Sequence, residues 1–217
     1  MKMEIDIEKW NRKAVYENFV AYTNPIFNIT ARLDVTKLVD YCKKNSRSFF
    51  KSFLFVVCKC LNQIEEFRLR IENGKVFLYD SIDPSYIIKQ ENGSIATCRT
   101  TFVDDYNVFC QTATEDMEKA TKDTDRKTFN GEARLDLFYT SCMPWVDFIG
   151  VTNPYNFNKP NECSIPRLTW GKYSDINGKK MMTFDLSVHH ALMDGEVVNK
   201  AFILIMQALE KVEEFLK

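Results

Sequence analysis

Residues 188–195 read Val-His-His-Ala-Leu-Met-Asp-Gly, and this short stretch holds both histidines of a 217-residue chain. Residues 180–190 have the length and alternation of a strand. Met182, Phe184, Leu186, Val188 and His190 fall on one face, and Thr183, Asp185, Ser187 and His189 on the other. His190 therefore ends an apolar, buried face, while His189 lies on the polar side. Downstream, residues 196–215 space Val198, Phe202, Ile205, Leu209 and Val212 along one side of a helix. The two imidazoles thus stand at a strand-to-helix junction, with Asp194-Gly195 supplying a turn and a carboxylate. Imidazole is the side chain suited to taking a proton near neutral pH, which makes His190 a candidate general base. The plain alternative is a core histidine satisfied by a backbone carbonyl.

Outward from that junction the pattern is mixed. Residues 34–45 predict a short helix with Leu38, Val39 and Cys42 inward, and residues 48–64 a helix apolar nearly all round, hence buried. Residues 67–71, 75–79, 85–89 and 95–101 read as strands punctuated by Asn73-Gly74, Asp83-Pro84 and Asn92-Gly93. Helical character returns over 104–123. Residues 134–151 are strand-like around Pro144-Trp145, and Asn177-Gly178 joins strands at 168–173 and 180–190. Helices and strands without βαβ regularity predict a single α+β domain over residues 1–217, a mixed sheet packed with helices.

The bulk numbers exclude several classes. With 29 basic against 30 acidic residues the formal net charge is −1, and no Lys/Arg block marks a nucleic-acid surface. The apolar run Phe53 to Cys58, bounded by Lys51 and Lys59, is far too short to span a bilayer, and the N-terminus has no signal-peptide pattern. Seven cysteines without a C-x-x-C pair, and only two adjacent histidines, give no zinc cluster. Reduced thiols in the cytoplasm are the simplest account, with no metal expected.

Three partners for the base deserve weighing. Ser141 as nucleophile would make a Ser/His/Asp hydrolase, but no G-x-S-x-G elbow surrounds it. Cys142 would form an acyl-thioester, yet it sits in an apolar strand, where a thiol is usually an inert small hydrophobe. The third possibility is a base acting directly on the hydroxyl of a bound substrate.

The motif H-H-A-x-x-D-G resembles the signature shared by chloramphenicol O-acetyltransferases and the catalytic domains of dihydrolipoamide acyltransferases. Several further stretches resemble the former family specifically. They are Trp10-Asn11-Arg12-Lys13, Phe67-Arg68, Tyr79-Asp80-Ser81-Ile82-Asp83-Pro84, Ser141-Cys142-Met143-Pro144-Trp145-Val146 and Thr169-Trp170-Gly171-Lys172-Tyr173. Ordered and spaced as in the family, they run through essentially the whole chain. The resemblance implies the chloramphenicol acetyltransferase-like fold and direct acetyl transfer from acetyl-CoA to a hydroxyl, with no acyl-enzyme. It implies that His190 is the base, that Ser141 donates to the tetrahedral oxyanion, and that Thr169 helps hold an ordered water there. Losing one oxyanion donor costs about 2.7–4 kcal/mol of transition-state stabilisation. Asp194 would be a structural partner of Arg12, and breaking such a pair when buried costs about 3–5 kcal/mol. CoA would lie near Trp145, Lys172 and Tyr173. The assembly would be a homotrimer in which His190 of one subunit faces Ser141 and the acceptor pocket of its neighbour.

The acceptor pocket departs from the pattern more than the catalytic core does. Phe27 matches an aromatic that packs on chloramphenicol, but Phe19 stands where the family commonly has a tyrosine hydroxyl. Residues 150–163 replace a more apolar, slightly shorter segment that lines the drug site. Two alternatives follow: the same chemistry on another hydroxylated small molecule, or a catalytically silent ligand-binding homologue. The joint presence of His190, Ser141, Thr169, Arg12 and Asp194 speaks against silence, because a mere binder has no chemical use for that set.

Overall fold

Side chains that cap helices fix where three of the long ones begin. Ser48 accepts from the Lys51 N–H, Asp105 from Val108, and Asp194 from Glu196 and Val197, each relieving N–H groups that have no partner inside the helix. The computed structural model describes residues 1–124 and 134–217. In chain order its elements are β1 (Lys2–Glu4), α1 (Lys13–Val20), β2 (Ile26–Asp34), α2 (Thr36–Lys44), α3 (Phe49–Asn62), β3 (Leu69–Glu72), β4 (Lys75–Tyr79), β5 (Asp83–Lys89) and β6 (Ile95–Arg99). There follow α4 (Tyr106–Lys122), β7 (Leu137–Met143), α5 (Pro160–Cys163), β8 (Arg167–Gly171), β9 (Ser174–Ile176), β10 (Lys179–His189), α6 (Gly195–Glu210) and α7 (Val212–Phe215).

The large sheet runs β2-β10-β8-β7-β5-β6, with β9 pairing the start of β10; a small sheet runs β1-β4-β3. β7 is parallel to both β5 and β8, and the remaining pairs are antiparallel, so the sheet is mixed as expected. Helices α3 and α6 cover the apolar face. Phe53 of α3 lies 5.0 Å from Trp170 and 5.7 Å from Phe184, ring centre to ring centre, and Phe202 of α6 lies 5.8 Å from Phe184. Burying such rings contributes about 1.5–3 kcal/mol each.

The Asn-Gly turns reverse the chain as read. Asn73 and Gly74 have φ of 52° and 77°, Asn177 and Gly178 of 53° and 78°, the paired positive angles that a two-residue hairpin needs. The second of these joins β9 to β10, not β8 to β10. Other expectations change too. Asp83-Pro84 is no turn but the start of β5, where a proline without an N–H is tolerated beside the parallel strand β7. The strand expected over 134–151 stops at Met143, ahead of Pro144. The final helix breaks at Lys211, between α6 and α7.

One arginine ties the small sheet to itself, and a second joins the two sheets. Arg68 donates to the carbonyls of Tyr79 (2.9 Å) and Asp80 (3.3 Å), which ties together two of the stretches that carry the resemblance. Arg70 is wholly buried and donates only to carbonyls: Leu135 at 2.6 Å, Phe67 at 3.0 Å, Leu69 at 2.6 Å and Leu137 at 2.7 Å. It clasps β3 to the start of β7.

Candidate active site

His190 follows the last residue of β10, its N–H donating to the Pro25 carbonyl at 2.8 Å. Its ring stacks on Phe19 of α1, with centres 3.7 Å apart and an 11° tilt, and lies 4.6 Å from Phe27 of β2. Nδ1 is covered and has no hydrogen-bond partner among the described residues. Three residues singled out from the sequence thus meet in one chain. Both aromatics assigned to the acceptor pocket stand against the imidazole of their own chain. His189 is buried rather than wet, its Nδ1 accepting from the Ala191 N–H at 3.3 Å. Burial, then the nearby His190, push its pKa down to about 4, so it is neutral at pH 7.

Arg12 reaches Asp194 as expected, Nη2 to Oδ2 at 2.9 Å. The pair is only part-buried, the two side chains being 15% and 33% exposed, so the cost of breaking it falls below that of a buried pair. Burial would raise the Asp194 carboxyl, but the Val197 N–H and the Arg12 guanidinium outweigh it and hold the group below the usual carboxylate range. One side chain thereby caps α6 and ties α1 to the turn after His190.

The polar side of the large sheet presents a row. Thr30, Asp185, Thr169 and Ser141 are register partners on β2, β10, β8 and β7, and so share a face. Ser141 is half-buried, and its hydroxyl makes no hydrogen bond with a described residue. Burial pushes the thiol of its neighbour Cys142 up to about 11, leaving almost no thiolate at neutral pH and removing it as a nucleophile. Phe27 is the register partner of Val188, on the apolar side. Ser141 and the His190 ring that lies against Phe27 therefore belong to opposite faces, and the chain does not bring its own His190 and Ser141 together.

Strand alternation gives no sign of what covers the polar face. Residues 144–157 fold back across it as a strap. Thr183 donates to the Phe148 carbonyl (2.6 Å), Lys172 N–H to Val146 (3.0 Å), and Asn153 donates to Ser187 (3.2 Å). Tyr155 lies over the Arg167 guanidinium at 3.7 Å. A Cβ on Gly171 would come within 2.8 Å of the Val146 carbonyl, so only glycine admits the strap so close. Beneath it Thr169 is 1% exposed, and its hydroxyl donates to Asn153 Oδ1 at 3.3 Å. The strap thus supplies the partner of the Thr169 hydroxyl.

Trp145, at the start of the strap, is 84% exposed and therefore no core residue. Lys172 and Tyr173 follow β8 beside it; Lys172 is exposed, and Tyr173 packs edge-on against Phe49 at 5.4 Å. An ammonium, an indole and a phenol ring at one end of two parallel strands suit a ligand carrying phosphates and a flat base. Among the described residues no group of His, Cys, Asp or Glu has metal-ligand geometry, and no helix is long and apolar enough to cross a membrane.

Comparison with known proteins agrees with this geometry. A family model described as chloramphenicol acetyltransferase matches residues 2–207. A chloramphenicol acetyltransferase of Proteus mirabilis is 29% identical over 204 residues, covering 94% of this chain and 92% of its own. A solved chloramphenicol acetyltransferase structure superposes with a TM-score of 0.86 at 29% identity, over 100% of both chains. The dihydrolipoamide acetyltransferase of Azotobacter vinelandii shares the fold, with a TM-score of 0.68 at 15% identity over 94% of this chain and 88% of its own. With the motifs of the sequence seated on that fold, the chain is an acyltransferase of the chloramphenicol acetyltransferase family.

Proposed function

We propose that the protein transfers the acetyl group of acetyl-CoA to a hydroxyl of chloramphenicol in the cytoplasm, inactivating the antibiotic. The observation that carries this reading is the His190 imidazole held against Phe19 and Phe27, a base with an apolar aromatic wall for the acceptor beside it. The imidazole takes the proton of the acceptor hydroxyl as its oxygen attacks the thioester carbonyl. The Ser141 hydroxyl donates to the oxyanion that forms. Collapse breaks the C–S bond, the CoA thiolate leaves and takes the proton back from the imidazolium, and the products are the acetyl ester and CoA. A positioned base of this kind contributes about 10²–10⁴-fold. Lys172 complements the phosphates of CoA, and Trp145 and Tyr173 give it apolar surface.

Because His190 and Ser141 of one chain belong to opposite sheet faces, the site is built from two chains of a homotrimer, His190 from one and Ser141 from the next. The absence of a hydroxyl on Phe19 and the polar Asn153 in the strap favour a second reading, the same transfer to another hydroxylated small molecule.

Thiol release from acetyl-CoA, with and without chloramphenicol, tests the reaction. Chloramphenicol-dependent release that His190→Ala abolishes is the expected result. No release by folded wild-type protein rules out chloramphenicol and moves the search to other hydroxylated acceptors. Activity regained on co-assembling His190→Ala with Ser141→Ala subunits is expected of a shared site, and a stable active monomer rules it out.

A further inference from the structure

The polar face holds a carboxylate that neither the transfer nor an ion pair uses. Asp185 is wholly buried; Oδ1 accepts from Asn28 Nδ2 (2.9 Å) and Thr30 Oγ1 (2.5 Å), and Oδ2 from Ser187 Oγ (3.0 Å). A carboxylate only accepts, so the one hydroxyl hydrogen of Ser187 is committed to it. Ser187 Oγ then has lone pairs alone to offer, and the Asn153 atom 3.2 Å away must be the donor Nδ2. That turns Asn153 Oδ1 toward Thr169, whose hydroxyl donates to it. Every hydrogen bond from Thr169 to Asp185 runs in one direction, and the direction is fixed at the buried end.

The consequence appears at the other end. Thr169 is covered and its hydrogen is committed, whereas Asn153 is half-exposed above it. One lone pair of Oδ1 and one hydrogen of Nδ2 have no partner among the described residues. Thr169 is the register partner of Ser141, so the Asn153 amide stands one strand away from the oxyanion serine.

We propose that Asn153 is the polar group presented to the reacting centre beside Ser141, and that Thr169, Ser187 and Asp185 are positioning residues that fix which end of its amide is presented. The inference rests on the acetyl-transfer reading and names the residue that does there what the resemblance assigns to Thr169. The carbonyl end takes a hydrogen donor, a water or a second hydroxyl or amide of the acceptor, while Ser141 donates to the oxyanion.

Kinetics of Asn153→Ala, Thr169→Val and the double variant test it. Asn153→Ala lowers kcat about tenfold, the scale of one hydrogen bond, with the KM for CoA unchanged. Thr169→Val lowers kcat about threefold alone and has no effect in the Asn153→Ala background, as expected for a residue that acts through another. Thr169→Ser, which keeps the hydroxyl, restores kcat. Asp185→Asn, which lets Ser187 and the amide reverse, lowers kcat only where Asn153 is present. An equal Thr169→Val defect in both backgrounds overturns the proposal.

A second arm needs no turnover. In urea unfolding, Thr169→Val and Asn153→Ala are non-additive by about threefold or more in the unfolding constant; additivity overturns the contact. A wild type that releases no thiol overturns the acetyl-transfer reading, while this arm still decides the Thr169–Asn153 contact.

Discussion

On one side of β10, Met182, Phe184, Leu186 and Val188 join the apolar core, Phe184 meeting Phe53 of α3 and Phe202 of α6; on the other, Thr183 and Ser187 bond to the strap of residues 144–157, with Asp185 and His189 also buried. Both sides are equally dry. Their cohesion differs in kind. The apolar side is held by contacts without direction, so it sets how stable the fold is. The polar side is held by hydrogen bonds that specify donors and acceptors atom by atom, so it sets which atoms its side chains present.

The largest expected effect breaks the first side. Phe184→Ala removes a ring packed between Phe53 and Phe202 and costs about 3–5 kcal/mol of unfolding free energy, read from the urea midpoint. Folded protein retains its KM for CoA. Ser141→Ala does the reverse, lowering kcat about 10²–10³-fold with the urea midpoint unmoved. If Ser141→Ala destabilises the fold as much as Phe184→Ala does, the division between the two sides fails.

Acid sharpens the contrast next. The His189 pKa is depressed to about 4 in the fold against about 6.5 unfolded, so in that window the unfolded chain binds a proton that the folded one refuses. Stability is therefore full above pH 6.5 and falls as the pH drops toward 4, by on the order of 3 kcal/mol from this group. Urea midpoints at pH 7 and pH 4.5 measure it, and His189→Gln flattens the difference. Asp194 acts lower, below the unfolded carboxylate pKa, since its own is depressed. The smallest effect is Arg12→Ala, about 2 kcal/mol for a part-buried pair, seen as a lower midpoint whose loss 1 M salt partly mimics.

How far the fold could be read from sequence depended on pattern strength. The helix at α3 was legible because nearly every side chain is apolar, and the hairpins because Asn-Gly admits positive φ. β2 was not, since Ile26–Asp34 is half-exposed on both sides along most of its length and shows no clean alternation. For the site, His190 stood out by its place at a strand-to-helix junction, whereas the Arg12–Asp194 contact was legible only through the family resemblance. Asn153 was not: Thr-Asn-Pro reads as ordinary loop chemistry, and its partners Thr169 and Ser187 lie 16 and 34 residues away. Asp185 could be placed only on the polar side of β10, because alternation tells which residues share a face and not what covers that face.

Arg70 carries a consequence of another kind. Its acceptors are four carbonyl oxygens, which have no proton to gain. Acid that neutralises Asp194 opposite Arg12, and Asp136 opposite Arg134, leaves this guanidinium with every partner it had. An acid-expanded form of the protein, its strap and termini loosened, would still carry the small sheet tethered to the root of β7.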